Sequence, residues 1–187
     1  TAVEASLTGH LVLSTLHTNS AAETVTRLLD MGCDPFNFAD SLLAVVAQRL
    51  VRRLCTHCRT RRPATGDEID ELLGDHLHAW NGHDKAETRD DVLAHWQQRH
   101  AVDGRLMFHH SPGCEKCGGS GFKGRAGLHE LMTVSRELRH LIQTRSRTEL
   151  LLGTALAEGM RTLRQDGIDK VLSGVTTIGE VRATSNA

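Results

Sequence analysis

The chain has 187 residues, enough for one domain or two small ones, and its 39% hydrophobic and 24% charged residues exclude wholesale disorder. Its 22 lysines and arginines against 23 acidic residues argue against a broadly basic nucleic-acid-binding protein. The longest apolar run, Leu42 to Ala47, is far shorter than the roughly 20 residues of a membrane span. Because the chain begins at Thr1 without a methionine or a signal peptide, we expect it to be a piece of a longer protein.

Residues 1–54 are predicted to form the end of an α/β core. Residues 10–17 are a short apolar run without clean alternation, which is typical of a strand buried on both faces of a parallel sheet. Ser20 and Glu23 then have the spacing of a capping box, and they predict a helix that ends at Gly32.

A second helix is predicted directly after this one. Asp34 has the character of an N-cap residue, and Pro35 suits the first helical position. Apolar residues are dense from Phe36 to Leu54, so we expect this helix to pack deeply against the sheet.

Two Cys-x-x-Cys pairs follow, formed by Cys55, Cys58, Cys114 and Cys117. Four thiolates match the tetrahedral coordination of structural zinc, and closed coordination leaves no position for a reacting water. Gly113 and Gly118 flank the second pair and give the backbone freedom that such a turn needs. The alternative is redox-active or disulfide-forming pairs, but the chain has too few cysteines for a disulfide scaffold. Cys33 is expected to be a plain thiol.

A polar stretch from about 66 to 110 separates the two pairs and holds seven of the 12 histidines and both tryptophans. We expect it to form an insertion looped out between the pairs, with two short amphipathic helices. The pairs His76-x-His78 and His109-His110 could chelate a metal weakly, and His57 could compete as a zinc ligand, although solvated surface groups are the plainer interpretation.

An arginine cluster is the best sequence candidate for binding an anion; its members are Arg49, Arg52, Arg53, Arg59, Arg61 and Arg62. The plainer interpretation is a solvated helix end, where cations are favourable. Beside a zinc site such a cluster could also contact nucleic acid. No aromatic residues interleave it for base stacking, which weighs against that interpretation.

Regular structure is predicted again in the last 60 or so residues. Leu128 to Val134 favours a strand. Helices are predicted to start near Ser135, Ser146, Met160 and Thr177. Ser146 with Glu149 and Thr177 with Glu180 have the spacing of capping boxes.

Several motifs along the chain resemble one family, in the same order. They lie within Thr8 to Asn19, Arg27 to Cys55, Gly113 to Glu130 and Gly159 to Thr177. The first resembles the histidine box of the secretion ATPase superfamily, and the third resembles its zinc-binding region. The whole resembles the type II secretion ATPases (the general secretion pathway protein E family), with the type IV pilus assembly ATPases as near neighbours.

The resemblance implies a RecA-like P-loop ATPase that forms a homo-hexamer on the cytoplasmic face of the inner membrane. Such a motor couples ATP hydrolysis, with Mg²⁺, to pseudopilus assembly and protein export. The implied organisation is the C-terminal part of the ATPase core in 1–54, a zinc subdomain in 55–126 and a mostly helical subdomain in 127–187. Inner-membrane secretion platform proteins are the implied partners.

By the same resemblance, His17 is the catalytic histidine-box residue near the γ-phosphate, and Thr15, Thr18 and Arg49 are further nucleotide-binding candidates. From the residues alone, a core histidine bonded to a neighbouring strand is the favoured interpretation of His17, and the resemblance reverses this preference. The chain has no G-x-x-x-x-G-K-[ST] phosphate loop, and the glycine-rich run at 118–121 lacks the following Gly-Lys. We therefore expect ATP hydrolysis only in the full-length protein.

Two alternatives remain open at this point. One is a type IV pilus assembly ATPase, which belongs to the same superfamily. The other is a non-enzymatic zinc module that binds nucleic acid or protein through the arginine cluster.

Overall fold

The computed structural model describes residues 2–83 and 87–185. Its α-helices are α1 (Ala2–Leu7), α2 (Ala21–Asp30), α3 (Pro35–Ser41), α4 (Gly66–Leu77), α5 (Arg89–His100), α6 (Arg136–Gln143), α7 (Thr148–Ala157), α8 (Leu163–Leu172) and α9 (Ile178–Thr184). Its strands are β1 (Ala44–Leu54), β2 (Thr60–Pro63), β3 (Met107–His110) and β4 (Phe122–Thr133). Short 3₁₀ turns occupy His78–Trp80 and Glu115–Cys117. The architecture is therefore mixed α/β.

The strands form two small sheets. In one, β1 is hydrogen-bonded to β4. In the other, β2 and β3 run antiparallel, with Thr60 opposite His110 and Pro63 opposite Met107. The chain divides into two compact units, Thr1–Ala47 with Glu130–Thr162 and Gln48–His129 with Leu163–Ala187. The three-part division expected from the sequence stays a prediction.

The first unit is built on amphipathic helices. Helix α2 buries residues spaced by one helical turn, and α3, α6 and α7 bury further apolar residues; the buried apolar residues include Ala21, Ala22, Val25, Leu29, Phe38, Ala39, Leu138, Ile142, Leu151 and Ala155. Ser20 caps α2 and Asp34 caps α3, with Pro35 at the first turn, as the sequence predicts.

The second unit has two neighbouring apolar clusters. One joins α4, α5 and α8 through Leu72, Leu73, Val92, Trp96, Leu106, Ile168 and Leu172. The other joins β1, β4, α8 and α9 through Val51, Leu128, Leu163, Val171 and Val181. Phe108 and Ile178 pack against both clusters, so the helices of the insertion share one core with the C-terminal helices.

Two secondary-structure predictions for the first 54 residues are wrong. Residues 10–17 form no strand, and all eight are exposed. A strand buried on both faces needs partners on both sides, and no described strand pairs with this segment. The helix predicted through Leu54 ends at Ser41, and β1 follows it. Exposed and half-buried residues alternate along Ala44–Leu50, and that period of two belongs to a strand.

The C-terminal predictions fare better. The strand through Leu128–Thr133 is confirmed as the end of β4, and helices follow near all four predicted starts. Thr177 caps α9 as predicted. The Ser146 capping box is wrong, because the N-cap residue of α7 is Arg147 and its side chain makes no cap hydrogen bond. Ser146 instead belongs to the turn that ends α6, where its N–H donates to the Leu141 carbonyl.

Candidate metal centre and nucleotide-site residues

The four predicted zinc ligands come together in the second unit. The Sγ atoms of Cys55, Cys58, Cys114 and Cys117 all lie within 4.8 Å of one another. The Sγ–Sγ distance is 3.9 Å from Cys55 to Cys114 and 3.8 Å from Cys114 to Cys117. Zinc bound tetrahedrally at about 2.3 Å from each sulfur gives an edge of about 3.8 Å. These two distances match that edge, so the four cysteines could hold a Zn²⁺ ion.

The antiparallel pairing of β2 with β3 explains how cysteines so far apart in the sequence meet. Thr60 lies two residues after Cys58, and His110 lies four residues before Cys114. Thr60 and His110 are opposite each other in the β2–β3 sheet. The chain therefore leaves the zinc region and returns to it at neighbouring positions. The two insertion helices predicted between these strands are confirmed, and the insertion is a packed part of the unit's core.

Two hydrogen bonds tie Cys55 to the segments on either side of the second cysteine pair. Cys55 is fully buried at the end of β1, and its N–H donates to the Gly121 carbonyl over 2.9 Å. The Ser111 hydroxyl donates to the Cys55 carbonyl over 3.3 Å. Both contacts join segments on either side of the insertion, so they fix the relative position of the two pairs.

The second pair forms a tight turn that only glycines permit. The Cys114 carbonyl accepts hydrogen bonds from the N–H groups of Cys117 and Gly119, over 3.1 and 3.0 Å. Gly113 has φ +106°, and a Cβ there would lie 2.3 Å from the Gly119 carbonyl oxygen. The predicted need for glycine before this pair is therefore confirmed, for a reason of close backbone approach.

The environment of the cluster favours a thiolate at Cys117. The backbone N–H of Cys114 donates to Cys117 Sγ over 3.1 Å, and with a further N–H from Gly121 it lowers the pKa of Cys117 to about 6. Desolvation by burial raises the pKa of Cys58 to about 11. At neutral pH, metal binding at Cys58 therefore releases a proton.

The segment at 174–177 anchors the chain on both sides of the first cysteine pair. The N–H of Leu54 donates to the Val175 carbonyl over 2.9 Å. The Arg59 guanidinium donates to the Gly174 carbonyl. Thr176 Oγ1 donates to the Arg52 carbonyl over 2.8 Å. These contacts give a structural role to residues 174–176, which lie in the stretch from Gly159 to Thr177 that resembles the family.

The histidine alternatives find little support. The four cysteines are the one group of three or more potential metal ligands in 2–83 and 87–185, and His57 is exposed outside it. His76 is buried, with its Nε2 2.9 Å from Glu87 Oε2 and its ring edge-on to Trp96. It is therefore part of the insertion's core and not a surface chelator.

The predicted arginine cluster is not a single open cationic surface. Five of its members lie on β1 or β2 and Arg59 lies between these strands, so the cluster is not at a helix end, which corrects that prediction. The Glu180 carboxylate accepts two hydrogen bonds from Arg52, one from the guanidinium over 2.5 Å and one from the backbone N–H of Arg52 over 3.0 Å. Arg62 donates two hydrogen bonds to Glu68, over 2.5 and 2.8 Å. These partners lower the pKa of both glutamates, that of Glu68 to about 2.

The predicted nucleotide-binding residues are found in both units. Thr15, His17 and Thr18 belong to the first unit and Arg49 to the second. Thr15 and His17 are exposed, and the Oγ1 atoms of Thr18 and Thr24 lie 2.6 Å apart. The Arg49 guanidinium donates to the Gln48 carbonyl over 3.2 Å. Their assignment to a nucleotide stays a prediction.

Sequence reasoning missed one notable side chain in the first unit. Glu130 is 3% exposed, and its Oε1 accepts a hydrogen bond from the Ala21 N–H over 2.7 Å. The available signal was an acidic residue at an inward position of a strand whose neighbours, Leu128 and Met132, are apolar.

Comparisons with known proteins give consistent results. A family model described as "Type II/IV secretion system protein" matches residues 1–183. The chain is 43% identical over 180 residues to "Type II secretion system protein E" of Klebsiella pneumoniae, covering 96% of the chain and 30% of that protein. It is 41% identical over 182 residues to "Type IV pilus assembly ATPase PilB" of Thermus thermophilus, covering 97% of the chain and 18% of that protein.

A third relative is "Type II secretion system ATPase E" of Vibrio cholerae, 40% identical over 180 residues, which are 96% of the chain and 30% of that protein. The chain thus spans less than a third of the length of these curated relatives. Among the helices within the described ranges, none has the length and apolar character to cross a membrane. With its match over almost its entire length, the chain belongs to the type II/IV secretion system protein family.

Proposed function

We propose that the chain is the C-terminal portion of a hexameric secretion motor ATPase with a RecA-like core. The motor couples ATP hydrolysis to pseudopilus assembly and protein export by type II secretion. The observation that carries this proposal is the 43% identity to a type II secretion system protein E over 96% of the chain, a stretch that includes the four-cysteine cluster. The motor works on the cytoplasmic face of the inner membrane.

Within this motor, His17 acts near the γ-phosphate, with Thr15, Thr18 and Arg49 as further contacts to the nucleotide. Phosphoryl transfer depends on positioning and on stabilisation of charge by cations and Mg²⁺. The phosphate loop and the Mg²⁺ ligands belong to the remainder of the full-length protein. We expect the 187 residues alone to lack ATPase activity.

The four cysteines hold a structural Zn²⁺ ion in this proposal. Zinc supplies a cross-link between two chain segments, and closed thiolate coordination gives it no part in the hydrolysis. We propose 1–54, 55–126 and 127–187 as the core part, the zinc subdomain and the helical subdomain. The zinc subdomain faces an inner-membrane platform protein.

A type IV pilus assembly ATPase is the second candidate, and the 41% identity to such a protein of Thermus thermophilus favours it. Both candidates share the same motor chemistry and differ in the assembly that the motor drives. The non-enzymatic zinc module has no comparable support, since Arg52 and Arg62 of its supposed contact surface are paired with glutamates of the same chain.

The test uses the complete gene in its own host. The gene is deleted and then complemented with wild type, His17→Ala or His95→Ala, the last an exposed histidine on α5 as the matched control. Export of folded proteins and the presence of surface pili are scored, and ATP turnover is measured on the purified complete proteins. We expect His17→Ala to lower turnover roughly 10- to 100-fold and to abolish export, with His95→Ala at the wild-type level.

Three outcomes would contradict parts of this proposal. Loss of pili with intact export assigns the protein to pilus assembly. Absence of ATP turnover in the complete wild-type protein removes the motor function. Equal turnover in His17→Ala and wild type removes His17 from the mechanism.

A further inference from the structure

Glu130 occupies an unusual place in β4. The inward-facing residues of the strand alternate as Leu128, Glu130 and Met132, and they are 0%, 3% and 0% exposed. Burying a carboxylate costs free energy unless hydrogen bonds compensate for its lost hydration. An apolar side chain would fill this position without that cost, so the carboxylate requires a reason.

One contact of Glu130 is with the start of a helix more than a hundred residues away in sequence. Its Oε1 accepts a 2.7 Å hydrogen bond from the N–H of Ala21, which is the first residue of α2 and is fully buried. The first N–H groups of a helix have no acceptor within the helix, and the helix dipole favours negative charge there. Glu130 therefore fixes the beginning of α2 against β4.

The residues that lead into α2 are held one after another. Thr18 Oγ1 lies 2.6 Å from Thr24 Oγ1. The Asn19 N–H donates to Glu23 Oε2 over 3.1 Å. The Ser20 hydroxyl accepts from the Glu23 N–H over 3.2 Å. Positions 18 to 21 are thus each tied to α2 or to Glu130, whereas residues 10–17 are exposed and irregular.

His17 is the last residue of the exposed segment, directly before the anchored positions. Its location therefore depends on where α2 begins, and that start is held by the Ser20 cap and by the hydrogen bond from the Ala21 N–H to Glu130. We propose that Glu130 is a positioning residue for the histidine-box side chain. This inference rests on the proposed nucleotide role of His17, and Glu130 itself does not contact the nucleotide.

Two substitutions separate position from charge. Glu130→Leu fills the buried site but removes the acceptor of the Ala21 N–H. Glu130→Gln keeps a carbonyl oxygen at the same place and loses only the negative charge. The matched control is Leu138→Ala, which truncates a fully buried side chain of α6 in the same unit.

The experiment measures steady-state ATP turnover of the complete ATPase as wild type, Glu130→Leu, Glu130→Gln, His17→Ala, Leu138→Ala and the double variant His17→Ala/Glu130→Leu. We expect Glu130→Leu to lower kcat roughly 10- to 100-fold with little change in KM for ATP, because small displacements of catalytic groups cost that much. Glu130→Gln should retain most of the activity. The double variant should turn over no more slowly than His17→Ala alone.

Hydrogen exchange provides a readout that does not depend on turnover. In the complete protein, peptides that cover residues 17–22 should exchange faster in Glu130→Leu than in wild type, and Leu138→Ala should not speed them selectively. If Glu130→Leu does not fold, Glu130→Gln takes its place, with a smaller fall in kcat that is likewise lost in the His17→Ala background.

The outcomes distinguish this inference from the proposed function. Equal losses of kcat in Glu130→Leu and Leu138→Ala, or multiplicative losses in the double variant, would overturn the positioning role while leaving His17 in the mechanism. Unchanged turnover in His17→Ala would overturn the nucleotide role of His17 and this inference with it.

Discussion

The Sγ atoms of Cys55 and Cys114 lie 3.9 Å apart although 58 residues separate the two cysteines in the sequence. That distance is the edge of a tetrahedron around zinc, within the uncertainty of the bond lengths. The packed insertion and the β2–β3 sheet both lie between these cysteines in the sequence. A bound ion would therefore cross-link the two ends of a segment that strand pairing and core packing already hold in place.

The purified chain should therefore contain about one zinc ion, and Cys58→Ser should lose it. We expect Cys58→Ser to lower the melting temperature by roughly 10 °C, because loss of a few kcal/mol shifts it by about 2–4 °C per kcal/mol in chains of this size. Elemental analysis and a thermal melt check both expectations. Cys33→Ser is the matched control, since Cys33 lies outside the cluster. If the wild type contained no zinc and melted at the same temperature as Cys58→Ser, the prediction of a zinc site would be wrong.

Replacing Gly113 with alanine should weaken zinc retention. The added Cβ would lie 2.3 Å from the Gly119 carbonyl oxygen, and the φ of +106° is strained for any residue with a side chain. Gly104→Ala is the control, because its φ of +74° is also left-handed but nothing lies within 4 Å of the new Cβ. Competition with a chelator measures retention. Equal zinc retention by the two variants would mean that the close approach of Gly113 to the Gly119 carbonyl oxygen has no effect on metal binding.

The metal site could be predicted from the sequence far better than its surroundings. Each Cys-x-x-Cys pair contains two ligands and their spacing within four residues, so a short stretch of sequence is enough to identify it. The closure of the interval between the pairs depends on Thr60 meeting His110, a pairing between distant segments that no local pattern encodes. The contact of Glu130 with Ala21 is equally long-range. The sequence therefore shows an acidic residue at an inward position of a strand, but it does not identify the partner of that residue.

The two errors before Cys55 have different physical causes. Residues 10–17 have the composition of a buried strand, but that composition becomes a strand only when neighbouring strands pair with it. In Phe36–Leu54, the density of apolar residues predicts a helix, and that prediction is wrong beyond Ser41. The β-branched Val45, Val46 and Val51 and the alternation of burial belong to a strand, and short apolar runs do not decide between the two by density alone.

Trp96→Ala should destabilise the second unit as a whole. Trp96 is 1% exposed in the cluster that also holds Ile168 of α8, and large-to-small changes of buried aromatic residues cost about 3–5 kcal/mol. Urea unfolding followed by circular dichroism measures the change, with His95→Ala on the exposed face of α5 as control. A loss confined to α4 and α5 by hydrogen exchange would show that the insertion folds separately from α8.

Asp75 should matter more than its neighbour Glu71 in joining the insertion to the C-terminal helices. Asp75 accepts hydrogen bonds from Arg164 over 2.9 Å and from Arg182 over 2.6 and 2.8 Å. The Asp75 side chain is 16% exposed and that of Arg164 11%, whereas that of Glu71 is 55% exposed. Removing one partner of a mostly buried pair leaves an uncompensated charge.

Asp75→Ala should therefore cost about 3 kcal/mol of unfolding free energy, and Glu71→Ala should cost less than about 1 kcal/mol. Chemical unfolding of the two variants beside wild type gives the comparison. If the two substitutions had the same small effect, the network would be a solvated surface feature without a role in holding α4 to α8 and α9.

The Arg62–Glu68 pair should give a pH-dependent contribution to stability. The hydrogen bonds from Arg62 lower the pKa of Glu68 in the folded protein to about 2, below the value of about 4.3 in an unfolded chain. A carboxyl whose pKa is lowered by folding stabilises the protein above its unfolded pKa, and this stabilisation is lost as the pH falls through the folded pKa.

Glu68→Gln should thus destabilise the protein at pH 7, by no more than about 1 kcal/mol because both side chains are partly exposed, and the difference from wild type should shrink between about pH 4.3 and pH 2. Urea midpoints measured at pH 7, 5, 4 and 3 for Glu68→Gln and wild type follow the difference, with Asp67→Asn on the same turn of α4 as control. A difference that stays constant across this range would show that the effect of Glu68 does not come from its ionised pair with Arg62.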